Sequence, residues 1–165
     1  METKVISAFP ACGKSYIFQN EQDNFDGILD SDSSEFSWIK DENGNNTTER
    51  NPDFPNNYIQ HIEENLGKVQ IIFVSSHDVV RNALRENNID YTIVYPDISL
   101  KEDWIKRFKK RGNNEKFINF ISNNWDKFIA DIESETYPNK YKLKHKYDYL
   151  DTDVVFNILG YGIYE

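Results

Sequence analysis

Ala8-Phe9-Pro10-Ala11-Cys12-Gly13-Lys14-Ser15 is the stretch on which the reading of this chain turns. A small residue, four variable ones, then Gly-Lys-Ser is the pattern of a phosphate-wrapping loop, a P-loop. Successive backbone N–H groups turn inward and cradle phosphate oxygens. Gly13 lets the backbone approach with no Cβ in the way. Lys14 reaches the β- and γ-phosphates, and the Ser15 hydroxyl ligates Mg²⁺. The flanks agree. Lys4-Val5-Ile6-Ser7-Ala8 is a short apolar run fit for a buried strand, and Lys14 to Gln19 can open a helix. The start of that helix adds positive potential. The phosphate-binding set is therefore Pro10, Ala11, Cys12, Gly13, Lys14, Ser15 and Tyr16.

The rest of the composition narrows the class. A chain of 165 residues is most simply one domain, 1–165. Aromatic residues make up 15% of it and supply bulky core material. The formal net charge of -9 makes the chain a poor general binder of nucleic acid or of an anionic membrane. The single cysteine rules out an internal disulfide and fits a reducing cytoplasm, the expected location. No leader is visible and no apolar run approaches the length of a membrane span, so no membrane partner is expected.

Working outward, Gly27 to Ser31 reads as a second strand and runs into Asp30-Ser31-Asp32. Residues 33–57 are polar, with Asn43-Gly44-Asn45-Asn46, Pro52 and Pro55, and read as turns and a flexible connection. Asn57 to Leu66 has helical spacing, and Gly67 can cap its end. Val69 to Val74 is the strongest strand and reads as fully buried. A helix follows over Asp78 to Asn87, then a strand over Tyr91 to Tyr95, stopped by Pro96. Leu100 to Arg111 is a basic helix, stopped by Gly112-Asn113-Asn114. Glu115 to Ile132 reads as one long helix, Tyr147 to Leu150 as the last strand, and Val154 to Leu159 as a last short helix. Strands alternating with helices imply an α/β fold with a parallel sheet covered on both faces. The loop strand is central, the Asp30 strand lies beside it, and ligands bind at the carboxyl ends of the strands.

The motif, the length and the element order resemble small P-loop nucleoside and nucleotide kinases, above all viral deoxynucleoside monophosphate kinases. That family carries Gly-x-Pro-Gly-x-Gly-Lys-Ser/Thr. Pro10, Gly13, Lys14 and Ser15 match it, while Ala8 and Ala11 replace glycines. The resemblance implies a three-layer P-loop NTPase fold with a five-stranded parallel sheet. It implies ATP and Mg²⁺ as cofactors. It places an acidic pair at the end of the second strand, Asp30 and Asp32, with Asp30 joining Ser15 at the metal and Asp32 at the acceptor hydroxyl. It makes 100–114 a lid whose arginines, Arg107 and Arg111, close over the transferring phosphoryl group. Arginine suits that task because its planar fork grips phosphate oxygens in pairs. Residues 33–57 become the acceptor side, where Trp38 or Phe36 can stack on a base and Arg50, Arg81 or Arg85 can hold an acceptor phosphate.

Three activities follow. The first is phosphoryl transfer from ATP to a small acceptor, most simply a (deoxy)nucleoside monophosphate, by a monomer or homodimer. The second is a kinase acting on a polynucleotide 5′-hydroxyl or a modified base in DNA. A long nucleic acid is disfavoured because a binding groove needs more positive surface than this chain offers. The third is a non-catalytic nucleotide-binding module. A guanine-reading switch wants Asn-Lys-x-Asp, and Asn139-Lys140-Tyr141-Lys142 lacks its aspartate. The strand over Val69 to Val74 runs into Ser75-Ser76-His77 with no carboxylate to support Mg²⁺, which shifts that burden to Asp30 and Asp32. Cys12 reads as a small filler, and His77 as a loop residue.

Overall fold

The structure is a computed structural model that describes residues 1–160; residues 161–165 of the expected domain lie outside the described residues. The chain opens with β1 (Lys4–Ala8), α1 (Lys14–Asn20) and β2 (Ile28–Asp30). After α2 (Ser34–Ser37) come β3 (Trp38–Lys40) and β4 (Asn46–Arg50), then α3 (Asn56–Asn65), β5 (Ile71–Ser75), α4 (Asp78–Glu86) and β6 (Thr92–Pro96). The remainder is α5 (Lys101–Arg111), α6 (Glu115–Asn123), α7 (Trp125–Ser134), β7 (Asn139–Leu143) and α8 (Thr152–Ile158). Five strands form one parallel sheet in the order β2-β5-β1-β6-β7, flanked by helices. Among the described residues no helix is long and apolar enough to cross a membrane.

β1 is central, as its apolar run requires. Its Ile6 pairs with Phe73 of β5 on one side and Thr92 of β6 on the other. Ile71, Ile72, Phe73 and Val74 are each 0% exposed, so consecutive residues pointing to opposite faces are equally covered. Only a sheet packed on both faces does that. β2 does not lie beside β1 as expected. β5 stands between them, and β2 is an edge strand of three residues.

Three further expectations change. The connection 33–57 is ordered: β3 and β4 form an antiparallel ribbon whose turn is held by Asp41 Oδ1, which accepts from the amides of Asn43 and Asn45 at 2.9 Å each. The helix expected over Glu115 to Ile132 is two helices, broken at Asn124. The Asn124 amide side chain donates to Phe120 O at 2.8 Å and ends α6 locally. The new direction lets Trp125 bury against Phe9, ring centroids 5.6 Å apart, and donate its indole N–H to Ile98 O at 2.8 Å. The fifth strand is Asn139–Leu143 and not Tyr147 to Leu150. As an edge strand its outer residues are half-buried or exposed, which is why Asn-Lys-Tyr-Lys-Leu carries no continuous apolar run. The same placement puts the Asn-Lys-Tyr-Lys stretch inside the sheet edge rather than in a base-reading loop.

α5 ends where Gly112 takes φ 82, a left-handed cap. A Cβ there meets nothing within 4 Å, so only the backbone resists substitution. Gly112→Ala is therefore expected to cost about 1 kcal/mol in urea denaturation. A loss several times larger would mean that packing, and not the cap, fixes this position.

Candidate functional site

The loop between β1 and α1 is shaped by bonds from outside it. The Phe9 amide donates to Val94 O at 2.9 Å, and the Cys12 amide to Phe9 O at 3.3 Å. Ala11 (φ 65) and Gly13 (φ 108) are both left-handed. Ala11 thus occupies, as alanine, a conformation that glycine adopts freely, at a strain of about 1–2 kcal/mol. The loop carbonyls are taken one after another. Trp104 Nε1 donates to Pro10 O at 2.9 Å, Arg107 Nη1 to Ala11 O at 3.1 Å, and the Leu150 amide to Cys12 O at 2.7 Å. The amides of Ala11, Gly13, Lys14, Ser15 and Tyr16 have no protein acceptor among the described residues. A run of unpaired N–H groups at a loop and helix start is an anion-binding arrangement.

Arg107 holds this arrangement together. Its guanidinium lies between the rings of Trp104 (3.7 Å to the centroid) and Tyr149 (3.8 Å). Besides Ala11 O, it donates through Nη2 to Lys146 O at 2.9 Å and Asp148 O at 2.5 Å. Residues 144–150 are in turn folded by Asp148 Oδ2, which accepts from the amides of Lys144 (3.0 Å) and His145 (2.9 Å). This explains why Tyr147 to Leu150 is a loop: its backbone groups are claimed by the site and not by a neighbouring strand. Arg107 is therefore not the free closing arginine expected from the sequence. α5 packs Trp104 and Phe108 fully into the core, and only its last turn, Lys110 and Arg111, is exposed over the site.

The loop forms one side of a cleft of about 750 Å³ at the carboxyl ends of the strands. Asp32 and Ser33 after β2 and Ser75, Ser76 and His77 at the end of β5 also line it. So do Arg107, Lys110 and Arg111 of α5, with Asn113, Phe117 and Tyr149. Lys14 Nζ lies 3.0 Å from Asp30 Oδ1, both side chains half-buried. Asp30 does not itself line the cleft, so its oxygen serves Lys14 where a metal was expected. Asp32 does line it. One of its oxygens, Oδ1, accepts from the Ser34 amide at 2.9 Å, which fixes the carboxylate. The Ser15 hydroxyl is exposed and has no protein partner among the described residues.

No protein-family model matches the chain, and no curated protein matches it. Its own geometry carries the reading. Lys14, Ser15, Asp32 and Arg111 come together at the cleft with the loop from Pro10 to Gly13. Tyr16, Phe36, Trp38, Arg50, Arg81 and Arg85 do not. Tyr16 is 63% exposed and outside the lining. Trp38 is half-buried with the Arg50 guanidinium 4.2 Å over its ring, on the β3–β4 ribbon outside the lining. Arg81 is buried in an ion pair with Glu135, and its Nε donates to Ser76 O at 2.9 Å. It positions the backbone at the end of β5 and is not free to take an acceptor phosphate. Arg85 is exposed on α4, outside the lining. The sequence reading missed Trp104 and Tyr149. The signal for Trp104 was its spacing of three from Arg107, which stacks the two on one helix face; Tyr149 left none.

Arg107→Ala leaves three carbonyls without their donor and is expected to cost about 2–4 kcal/mol in chemical denaturation. Arg107→Lys recovers only part of this because it lacks the fork. Arg111→Ala, at an exposed position, should stay within about 0.5 kcal/mol. Equal losses at 107 and 111 would refute the bracketing role. Burial pushes the Cys12 thiol up to about 12. Native protein at pH 8 is therefore expected to resist alkylation at Cys12, and to react fully once denatured.

Proposed function

We propose that the chain binds ATP with Mg²⁺ at the loop Ala8–Ser15 and transfers the γ-phosphoryl group to a small acceptor in the adjoining cleft. The unpaired amides of Ala11 and of Gly13 to Tyr16, with Lys14 among them, are the observation that supports this reading above the others. Phosphate oxygens supply the acceptors that those amides lack. Lys14 exchanges or shares Asp30 for the β- and γ-phosphates. Asp30 is then a positioning residue that holds the lysine within reach while the loop is empty.

The residues present fit Mg²⁺. Among the described residues no group of three or more His, Cys, Asp or Glu side chains gathers to hold a metal alone. Mg²⁺ of the phosphoryl-transfer type needs only one or two protein ligands beside substrate oxygens and water. Ser15, with its free hydroxyl, would hold it, the other positions going to substrate oxygens and water, which leaves Asp32 for the acceptor. Bound there, the ion supplies charge neutralisation at the transferring phosphoryl group. Lys110 and Arg111 extend over the cleft and add positive charge where negative charge develops in the reaction. Arg107 acts at one remove, by keeping the Ala11 carbonyl turned out.

Lys14→Ala is expected to lower phosphoryl transfer by about 10²–10³-fold, as loss of one preorganised charge does elsewhere. Stability should change by less than about 1 kcal/mol, since the Lys14–Asp30 pair is partly solvated. Turnover of labelled ATP and urea denaturation on the same preparation check both. Undiminished transfer by the folded variant would overturn the proposal. So would a wild-type chain that neither binds nor turns over nucleotide.

A further inference from the structure

The walls of the cleft differ in charge. Lys14 of the loop and Arg107, Lys110 and Arg111 of α5 are all the cations in its lining. The wall built by the ends of β2 and β5 is Asp32, Ser33, Ser75, Ser76 and His77, with no lysine or arginine. Neither of the arginines expected at a phosphorylated acceptor, Arg50 and Arg81, is in the lining. Arg81 is locked to Glu135 and Ser76 O, and Arg50 lies over Trp38 on the ribbon. The Ser33 and Ser76 hydroxyls have no protein partner among the described residues, and the Ser75 hydroxyl accepts from the His77 amide at 3.2 Å. Asp32 has one oxygen fixed by the Ser34 amide and the other without a protein partner among the described residues.

Resting on the phosphotransferase reading above, we infer that the acceptor is an uncharged alcohol, such as a nucleoside or a free sugar, bound along Asp32, Ser33 and Ser76, and not a nucleoside monophosphate. A monophosphate carries close to two negative charges at neutral pH. On this wall it meets a carboxylate and no cation, and like charges in a partly desolvated cleft repel. An alcohol meets hydroxyls that hydrogen-bond it and a carboxylate that takes its proton. In the transfer the alcohol oxygen forms a bond to the γ-phosphorus. The bond from that phosphorus to the β–γ bridging oxygen breaks, its electron pair leaves on ADP, and the alcohol proton passes to Asp32. The cations of the loop and α5 are thereby left for the triphosphate.

The test is a competition among acceptors. The chain is incubated with γ-labelled ATP, Mg²⁺ and, in separate arms, nucleosides, free sugars, nucleoside 5′-monophosphates and an oligonucleotide, with ATP binding measured alongside by calorimetry. At least one alcohol is expected to take the label with kcat/KM tenfold or more above that of any monophosphate. Asp32→Asn should lower kcat at least 100-fold with the ATP Kd changed less than threefold. Ser76→Lys, which puts a cation on the bare wall, should shift the ratio toward monophosphates at least tenfold. Preference for a monophosphate, or for the oligonucleotide, overturns the inference and leaves the phosphotransferase reading standing. ATP binding with no transfer to any alcohol also overturns it. Absence of ATP binding instead removes the reading on which it rests.

Discussion

The guanidinium of Arg107 is the contact on which the site depends. A loop can offer its amides to an anion only if its carbonyls are satisfied in other directions, because both groups of each peptide must find partners. Here that requirement is met from α5 and from residues 144–150. Arg107 and Trp104 take the carbonyls of Ala11 and Pro10, and the Leu150 amide takes that of Cys12. Two aromatic faces clamp the guanidinium, so its fork is aimed before anything binds. The loop is thus preorganised by groups from α5 and residues 144–150, and the left-handed backbone at Ala11 is held in place by the same bonds.

The sheet sets up the remainder. With β1 at the centre and β5 and β6 paired to it, the carboxyl ends of the inner strands deliver the loop and the Ser75–His77 turn to one cleft. β2, out at the edge, contributes Asp30 and Asp32 by running past that end. The two carboxylates then divide: one reaches Lys14 and the other is fixed at the cleft by the Ser34 amide. Arg81 stabilises the same turn from behind through the Ser76 carbonyl. Cation placement follows the division. Positive side chains sit on the loop and α5, and the β2–β5 wall is left with hydroxyls, one carboxylate and the His77 imidazole.

Much of this was legible in the sequence, and the parts that were not have physical reasons. The loop, β1, β5, α4 and α5 could be read because local signals and burial point the same way: unbroken apolar runs for inner strands, Gly112 for a helix end. β7 was hidden because an edge strand may be polar on its open side, and Lys140 and Lys142 disguised it. The break at Asn124 was hidden because both helices continue one apolar stripe. Of the residues that line the cleft, Lys14 and Ser15 were named from the motif, Arg111 from its helical spacing and Asp32 from the family resemblance. Arg107 was found for its charge and given the wrong task, since only the fold shows that its fork is used up by carbonyls. Arg81 was misassigned for a similar reason, because its partner Glu135 lies 54 positions along the chain.

The bond from the Leu150 amide to Cys12 O joins two points almost a chain length apart. Such a contact closes a very large loop and forms late, after nearer contacts have reduced the entropy of closure. The loop Ala8–Ser15 is written near the start of the message but acquires its shape only after residues 144–150 have been synthesised and docked. A nascent chain that has assembled β1, β5 and β6 therefore has a sheet whose Ala8–Ser15 loop still lacks its final shape. The candidate site is thus completed in the closing step of folding, which ties its appearance to completion of the whole structure.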